Sequence, residues 1–197
     1  MNIQKQMNNF IDYFCSPGSS LEASDFRKYG LSGELRHLKK GQYLIRQGQP
    51  APKIYFMLSG YARYMSVSSE GKEFTQSFAC APCVAGSTRA MARQAKALFS
   101  IEALDDVLCL GFEWPDFFEK MKDQPGFLLA HSTLLESMFI KKEEREYSFV
   151  QLSAEQRYLD FLEQNPQLRE RLPLKMIASY IGITPIALSR IRKKING

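Results

Sequence analysis

From residue 40 to residue 112 short apolar runs alternate with turn residues: QYLIR, KIYFML, YARYMSV and KEFTQSFA, followed by ALFSIEA and VLCLGF. Runs of this length, broken by GQPAP, SG, SSEG and an Asp105-Asp106 pair, predict antiparallel strands and hairpins rather than helices. Gly41, Gly48, Gly60 and Gly71 fall in the gaps, where a turn can require positive φ. The expected unit has about eight strands, and so many short strands hide their edges most economically in a barrel or jelly roll.

Around Trp114 the period lengthens from two toward 3.6. The spacing predicts a short helix from Trp114 to Met121. A much longer helix follows, with Pro125 in its first turn, running through FLLAHSTLLESMFIKKEEREY. Leu128, His131, Leu135 and Met138 form one stripe of that helix, with Phe127, Leu134 and Phe139 beside it. One sheet face does not need so wide an apolar surface, so Leu128, His131, Leu134, Leu135, Met138 and Phe139 are the expected dimer contacts. Packing wholly within one subunit is the alternative. In SAEQRYLDFLEQ, Ser153 and Gln156 make a capping box, and Asn165-Pro166 ends the helix.

The last segment, LPLKMIASYIGITPIALSRIRKKI, carries the most information. Leu174 to Tyr180 reads as a short helix with Ile177 and Ile181 inward, and Ala178 leaves room for a second helix to cross. Gly182 supplies the turn, Thr184 the N-cap and Pro185 the first helical residue. Leu188, Ile191 and Ile195 make the buried stripe expected of the second helix. This is the packing pattern of a helix-turn-helix. Pro185, Ile186, Ser189, Arg190, Lys193 and Lys194 are left on the outer face with Arg192 flanking, where they can meet a DNA groove and its phosphates. A helical hairpin with a merely solvated outer face is the alternative.

Charge sharpens this picture. Residues 148–197 hold eight Lys or Arg against four acids, whereas the first 147 residues hold 18 against 17. The last 14 residues carry four basic side chains and no acid, as expected where a polyanion docks. With 45% hydrophobic and 24% charged residues, the composition excludes a disordered or disulfide-stapled chain. No apolar run has spanning length and the start MNIQKQMNNFIDYF lacks a signal-peptide plan, so a cytoplasmic protein with no membrane partner is expected. Cys80 and Cys83 form a C-x-x-C, for which metal binding, redox cycling and plain structure are all readings, with Cys15 and Cys109 as further conceivable ligands. Structure is favoured, and no metal is expected: Cys109 alternates with leucines in a strand, and only His37 and His131 are present.

KKGQYLIRQGQPAPKIYFMLSGYARYM, EGKEFTQSF, the long helix and the helix-turn-helix together resemble, in this order, the Crp/Fnr superfamily of bacterial transcription regulators. The resemblance implies an α+β chain: an antiparallel, jelly-roll-like, cyclic-nucleotide-binding-domain-like β-roll over 1–112, linking and dimerisation helices over 113–147, and a helix-turn-helix domain over 148–197. Many members continue into a β-hairpin wing, and this sequence ends two residues after Ile195, so a full wing is not expected. The implied function is a homodimeric, non-catalytic regulator that binds palindromic double-stranded DNA, with RNA polymerase as a further partner. The implied DNA contacts are Lys175, Thr184, Pro185, Ile186, Ser189, Arg190, Arg192, Lys193 and Lys194. The arginine comparable to Arg190 reads a guanine in members of the superfamily, while Pro185 and Ile186 stand where well-known members have Arg and Glu.

The resemblance places an effector pocket at Gly86, Ser87, Thr88, Arg89, Ala97 and Leu98. Cyclic-nucleotide binders hold ribose with a Gly-Glu pair and phosphate with an Arg-Ser or Arg-Thr pair. Here those places read Gly86-Ser87 and Ala97-Leu98, so cyclic AMP is not the expected effector and the cofactor is unassigned. Arg89, Arg93 and Lys96 offer another anion a cradle or form a solvated basic turn. Two other functions remain open: a cupin-like jelly-roll enzyme with a helical appendage, disfavoured by scarce histidine, and a ligand-sensing module whose helical end binds protein.

Overall fold

The computed structural model describes residues 33–124 and 126–196. Cys15 and Pro125, singled out above, lie outside the described residues. Among the described residues eight strands form, the number expected, six of them at the alternating runs and two, β1 and β6, outside them: β1 Glu34–Leu38, β2 Tyr43–Ile45, β3 Lys53–Ser59, β4 Tyr61–Val67, β5 Glu73–Cys80, β6 Cys83–Ala85, β7 Ser100–Ala103 and β8 Val107–Glu113. They make two four-stranded sheets, ordered β1-β8-β3-β6 and β2-β7-β4-β5. Tyr55 at the centre of β3 lies opposite Gly111 of β8 and Ala85 of β6, both antiparallel.

The apolar runs of β3 and β8 are nearly continuous because both faces of these strands are buried. Tyr55, Met57, Val107 and Cys109 point into an inner core with Leu38, Ile45, Ala62, Ile101 and Ala103. Ile54, Phe56, Leu110 and Phe112 point the other way, against Phe117, Met121, Phe127 and Ala130. These last four come from two helices, α2 (Trp114–Met121) and α3 (Phe127–Gln151), which follow the short α1 (Thr88–Arg93). Rings do most of the filling: Phe56, Phe112 and Phe117 have centroids 5.2–5.6 Å apart. In the sheet β2-β7-β4-β5, Arg63 of β4 is buried and paired with Glu102 of β7, Nη2 to Oε2 2.5 Å.

The described chain divides into two compact units, residues 33–66 with Ser77–Glu136, and Val67–Gln76 with 137–196. The long helix α3 contributes residues to both. In the second unit, α4 (Ala154–Gln164) opens with the predicted capping box, in which Ser153 Oγ accepts from the Gln156 amide and the Gln156 side chain accepts from the Ser153 amide. Helices α5 (Leu174–Ile181) and α6 (Pro185–Asn196) follow. Tyr158, Phe161, Leu168, Ile177, Ala178, Ile181 and Leu188 are the buried hydrophobic residues at the centre of this unit. Among the described residues no single helix is long and apolar enough to cross a membrane.

Candidate nucleic-acid interface

Helices α5 and α6 are bent 96° to one another, within the range that lets the second helix of such a pair enter a groove. The turn starts at Gly182, whose φ of +79° is left-handed and therefore suited to glycine. The Ile183 amide donates back to Ala178 O at 2.9 Å, closing a Schellman-type end to α5. Thr184 Oγ1 then accepts from the Ala187 amide at 3.2 Å, so the predicted cap is made and Pro185 occupies the first turn.

Leu188 is 0% exposed and anchors α6, while Ile191 is half-buried. Ile195 departs from the expectation of a buried stripe: it is 37% exposed. Helix α5 has eight residues, and two helices crossing so steeply touch only near the crossing, so the last turn of α6 extends past its support. Thr184, Pro185, Ile186, Ser189, Arg190, Arg192, Lys193 and Lys194 are all exposed, as is Lys175 at the start of α5. At about 3.6 residues per turn, Ile186, Arg190 and Lys193 fall at i, i+4 and i+7 on one stripe opposite Leu188. Ile186 is 68% exposed, a large apolar side chain held out in water. Lys194 differs from its neighbours because its Nζ is already 2.7 Å from Glu155 Oε2 in the first turn of α4.

Two arginines outside the motif hold its turn in place. Arg145 of α3 donates from Nη2 to Tyr180 O at 2.9 Å, and Arg157 of α4 donates from Nε to Ile181 O at 2.9 Å. Cations on the terminal carbonyls of α5 complement the negative end of its dipole. Arg145 also lies 4.2 Å from the Tyr180 ring centroid and 4.8 Å from that of Phe149, which Arg157 approaches at 5.0 Å. Burial lowers the pKa of Arg145 from the ordinary guanidinium value, and its neighbour Arg157 pushes in the same direction. Sequence reading missed Arg145, Arg157 and Phe149. Arg145 sits in the charge run KKEEREY, where nothing in the pattern separates it from a solvated cation.

The expected effector residues come together at α1. Arg89 Nη1 donates to Lys96 O at 2.5 Å and ties this helix to the segment holding Ala97 and Leu98. Their side chains serve mainly local structure. Ser87 is buried, and its Oγ accepts from the Ala90 amide at 3.3 Å as the cap of α1. Ala97 is buried, whereas Thr88, Arg89 and Leu98 are exposed. The Gly86 amide donates to Tyr64 Oη at 3.4 Å, and the Tyr64 ring packs on Phe99 with centroids 5.2 Å apart. Burial raises the pKa of the Tyr64 phenol strongly.

On α3, Leu128, Leu135, Met138 and Phe139 are exposed, with Leu129 and Ile140 beside them. His131 and Leu134 differ from that set. Leu134 packs on the core cluster below, and His131 stacks on Phe127 at 5.9 Å with the planes 3° apart. Cys80, Cys83 and Cys109 are not joined in disulfides. Cys109 is core, and burial pushes its thiol up to about 11. Cys83 donates to Met57 Sδ at 3.8 Å. Among the described residues no group of three His, Cys, Asp or Glu side chains is placed to hold a metal ion.

Comparison with known proteins adds to this geometry. Residues 35–124 match the cyclic nucleotide-binding domain family. No curated protein sequence matches the chain. Among solved structures it is similar to the c-di-GMP responsive global regulator CLP of Xanthomonas campestris, with TM-score 0.74 and 14% identity, covering 89% of this chain and 92% of that one. FixK2 of Bradyrhizobium japonicum gives 0.73 and 16%, covering 84% and 85%. A crp/fnr-family protein from Eubacterium rectale gives 0.70 and 16%, covering 89% and 84%. At these identities the likeness is one of fold.

Proposed function

We propose, from the premise that this chain has the Crp/Fnr regulator fold and a cyclic nucleotide-binding-type β-roll over residues 35–124, that it is a sequence-specific DNA-binding transcription regulator acting as a homodimer. The observation that carries this reading is α6. It is a capped helix set at 96° to its partner, anchored by Leu188, and it presents Ile186, Arg190 and Lys193 outward on one stripe. Arg190 reads a base edge, with guanine O6 and N7 as its bidentate partner. Pro185 and Ile186 make apolar contact, for which a thymine methyl is the matching group. Lys175, Arg192 and Lys193 take phosphates, with Thr184, Ser189 and Lys194 at the margin, and fix register without reading sequence.

The dimer forms through the exposed face of α3. It sets two recognition helices on a palindromic site with half-sites about 34 Å apart. RNA polymerase is a further partner of the bound dimer. The β-roll receives a signal other than cyclic AMP, since Ser87 and Ala97 occupy the places of a ribose-binding carboxylate and a phosphate-binding arginine. The test is selection from random duplex oligonucleotides followed by titration of the enriched site at several salt concentrations. A palindrome bound with a steep salt slope is the expected result, and enrichment of no sequence overturns the reading.

A further inference from the structure

In the sheet order β2-β7-β4-β5, strand β5 is an edge. An edge strand presents unpaired N–H and C=O groups on alternate residues, and Glu73 and Thr75 present theirs on the same side. Inside the second compact unit three of these four groups are taken up by the helices. The Thr75 amide donates to Ser179 Oγ at 2.8 Å, Ser179 Oγ donates to Glu73 O at 3.4 Å, and Arg145 Nη2 donates to Thr75 O at 3.5 Å. Ser179 thus stands where a neighbouring strand would stand. It belongs to α5, three residues before the turn at Gly182, and Arg145 is the same group that caps α5 at Tyr180 O.

We infer that Glu73 and Thr75 of β5, Ser179 of α5 and Arg145 of α3 form a reversible latch that couples the β5 strand to the helix-turn-helix. This rests on the DNA-binding reading for its consequence, though not for its existence. Two features make it a latch rather than permanent cement. Only one of the three hydrogen bonds is short, so closure is held mainly by the Thr75 amide and Ser179. Moreover, the closed state leaves a buried polar group unpaired: Thr75 is 3% exposed and its Oγ1 has no hydrogen-bond partner among the described residues. An unpaired buried hydroxyl disfavours the conformation that contains it, and opening the edge to water relieves it. Strand β5 leaves this unit at Gln76 and continues as Ser77 to Cys80 in the other, so a change along the strand reaches the latch through covalent backbone.

Two substitutions in the full-length protein act on the latch in opposite senses. Ser179→Ala removes the partner of the Thr75 amide and opens it. Thr75→Val keeps the shape and both backbone groups but deletes the unpaired hydroxyl, so it favours closure. Hydrogen exchange read by NMR should quicken at the Thr75 amide by about tenfold or more in Ser179→Ala and slow in Thr75→Val. Affinity for the enriched DNA should move in opposite directions in the two variants, by about threefold or more each. Unchanged exchange at Thr75 in Ser179→Ala overturns the latch, and DNA affinities that stay put or shift the same way overturn the coupling. If the wild-type chain binds no DNA, the regulator reading has failed and exchange alone decides. Faster exchange at Thr75 together with the Ile183 and Leu188 amides of the motif then supports the latch, and faster exchange at Thr75 alone overturns it.

Discussion

The ring of Phe149 occupies the ground that a side chain on Gly182 would need: a Cβ built there would stand 2.6 Å from Phe149 Cε1. Positive φ therefore demands glycine, and a Cβ would in addition have to push aside the outer edge of the Phe149 ring, which is 42% exposed. Gly182→Ala should destabilise the chain by about 1–3 kcal/mol, read as a lower denaturation midpoint with unchanged slope. A companion Phe149→Ala would relieve the clash but not the backbone strain, so the double variant should recover only part of the loss.

On DNA, the residues of α6 should separate by role. Arg190→Ala should cost about 1–3 kcal/mol on the enriched site and little on random duplex. Lys193→Ala should weaken both alike and reduce the salt slope by about one. Lys194→Ala should do less than Lys193→Ala, since Glu155 already competes for its ammonium, and Glu155→Gln should tighten binding to both DNAs by freeing it. Fluorescence anisotropy across a salt series measures all four.

In the proposed dimer the exposed side chains of α3 form the seam. Phe139 is 69% exposed, and Leu128, Leu135 and Met138 lie uncovered on the same helix. Light scattering at micromolar concentration should find a dimer. Leu135→Glu with Met138→Glu should give a folded monomer with an intact far-UV spectrum, whereas a monomeric wild type would exclude this interface.

His131 introduces a pH dependence of stability whose sign follows from its surroundings. Burial against Phe127, Trp114 and Phe118 lowers its pKa below the ordinary 6.5. At pH values between the lowered folded value and the unfolded one, the unfolded chain binds the extra proton, so stability is complete above about pH 6.5 and falls as pH drops through the folded pKa. His131→Phe should lose less stability than wild type between pH 7 and pH 5 in parallel denaturation curves.

Calorimetry with cyclic AMP should show no submicromolar binding. With the pocket placed as proposed, each charge-assisted hydrogen bond that Ser87 and Ala97 cannot supply removes about 1.5–3 kcal/mol, and the Ser87 hydroxyl is already engaged in capping α1. Tight binding would relocate the pocket.

Much of the architecture was legible because it is periodic. The runs around Tyr55 and Cys109 announced strands, though not that both of their faces are buried, and Ser153, Thr184 and Gly182 marked helix ends by local chemistry. Strands β1 and β6 were harder to see: ELRHL is mixed in character and CVA has three residues, and they pair with β8 and β3 through register rather than pattern. In the candidate interface, the outer face of α6 followed from the stripe opposite Leu188. The exposure of Ile195 did not, because it depends on where the crossing helix stops. Nor did Arg145 and Ser179 stand out, since their partners Thr75 and Tyr180 lie 70 and 35 residues from Arg145, and Thr75 lies 104 from Ser179.

The paired guanidiniums on α5 also bear on modularity. Tyr180 O is held from α3 and Ile181 O from α4, and the ring beneath the turn comes from α3 as well. A fragment cut after Gln151 would keep every residue of the α5–α6 hairpin yet lose Arg145 and Phe149. Such an excised fragment would hold α6 at a looser angle than the intact chain, and on the DNA-binding reading proposed above, specificity measured on it would understate the parent's.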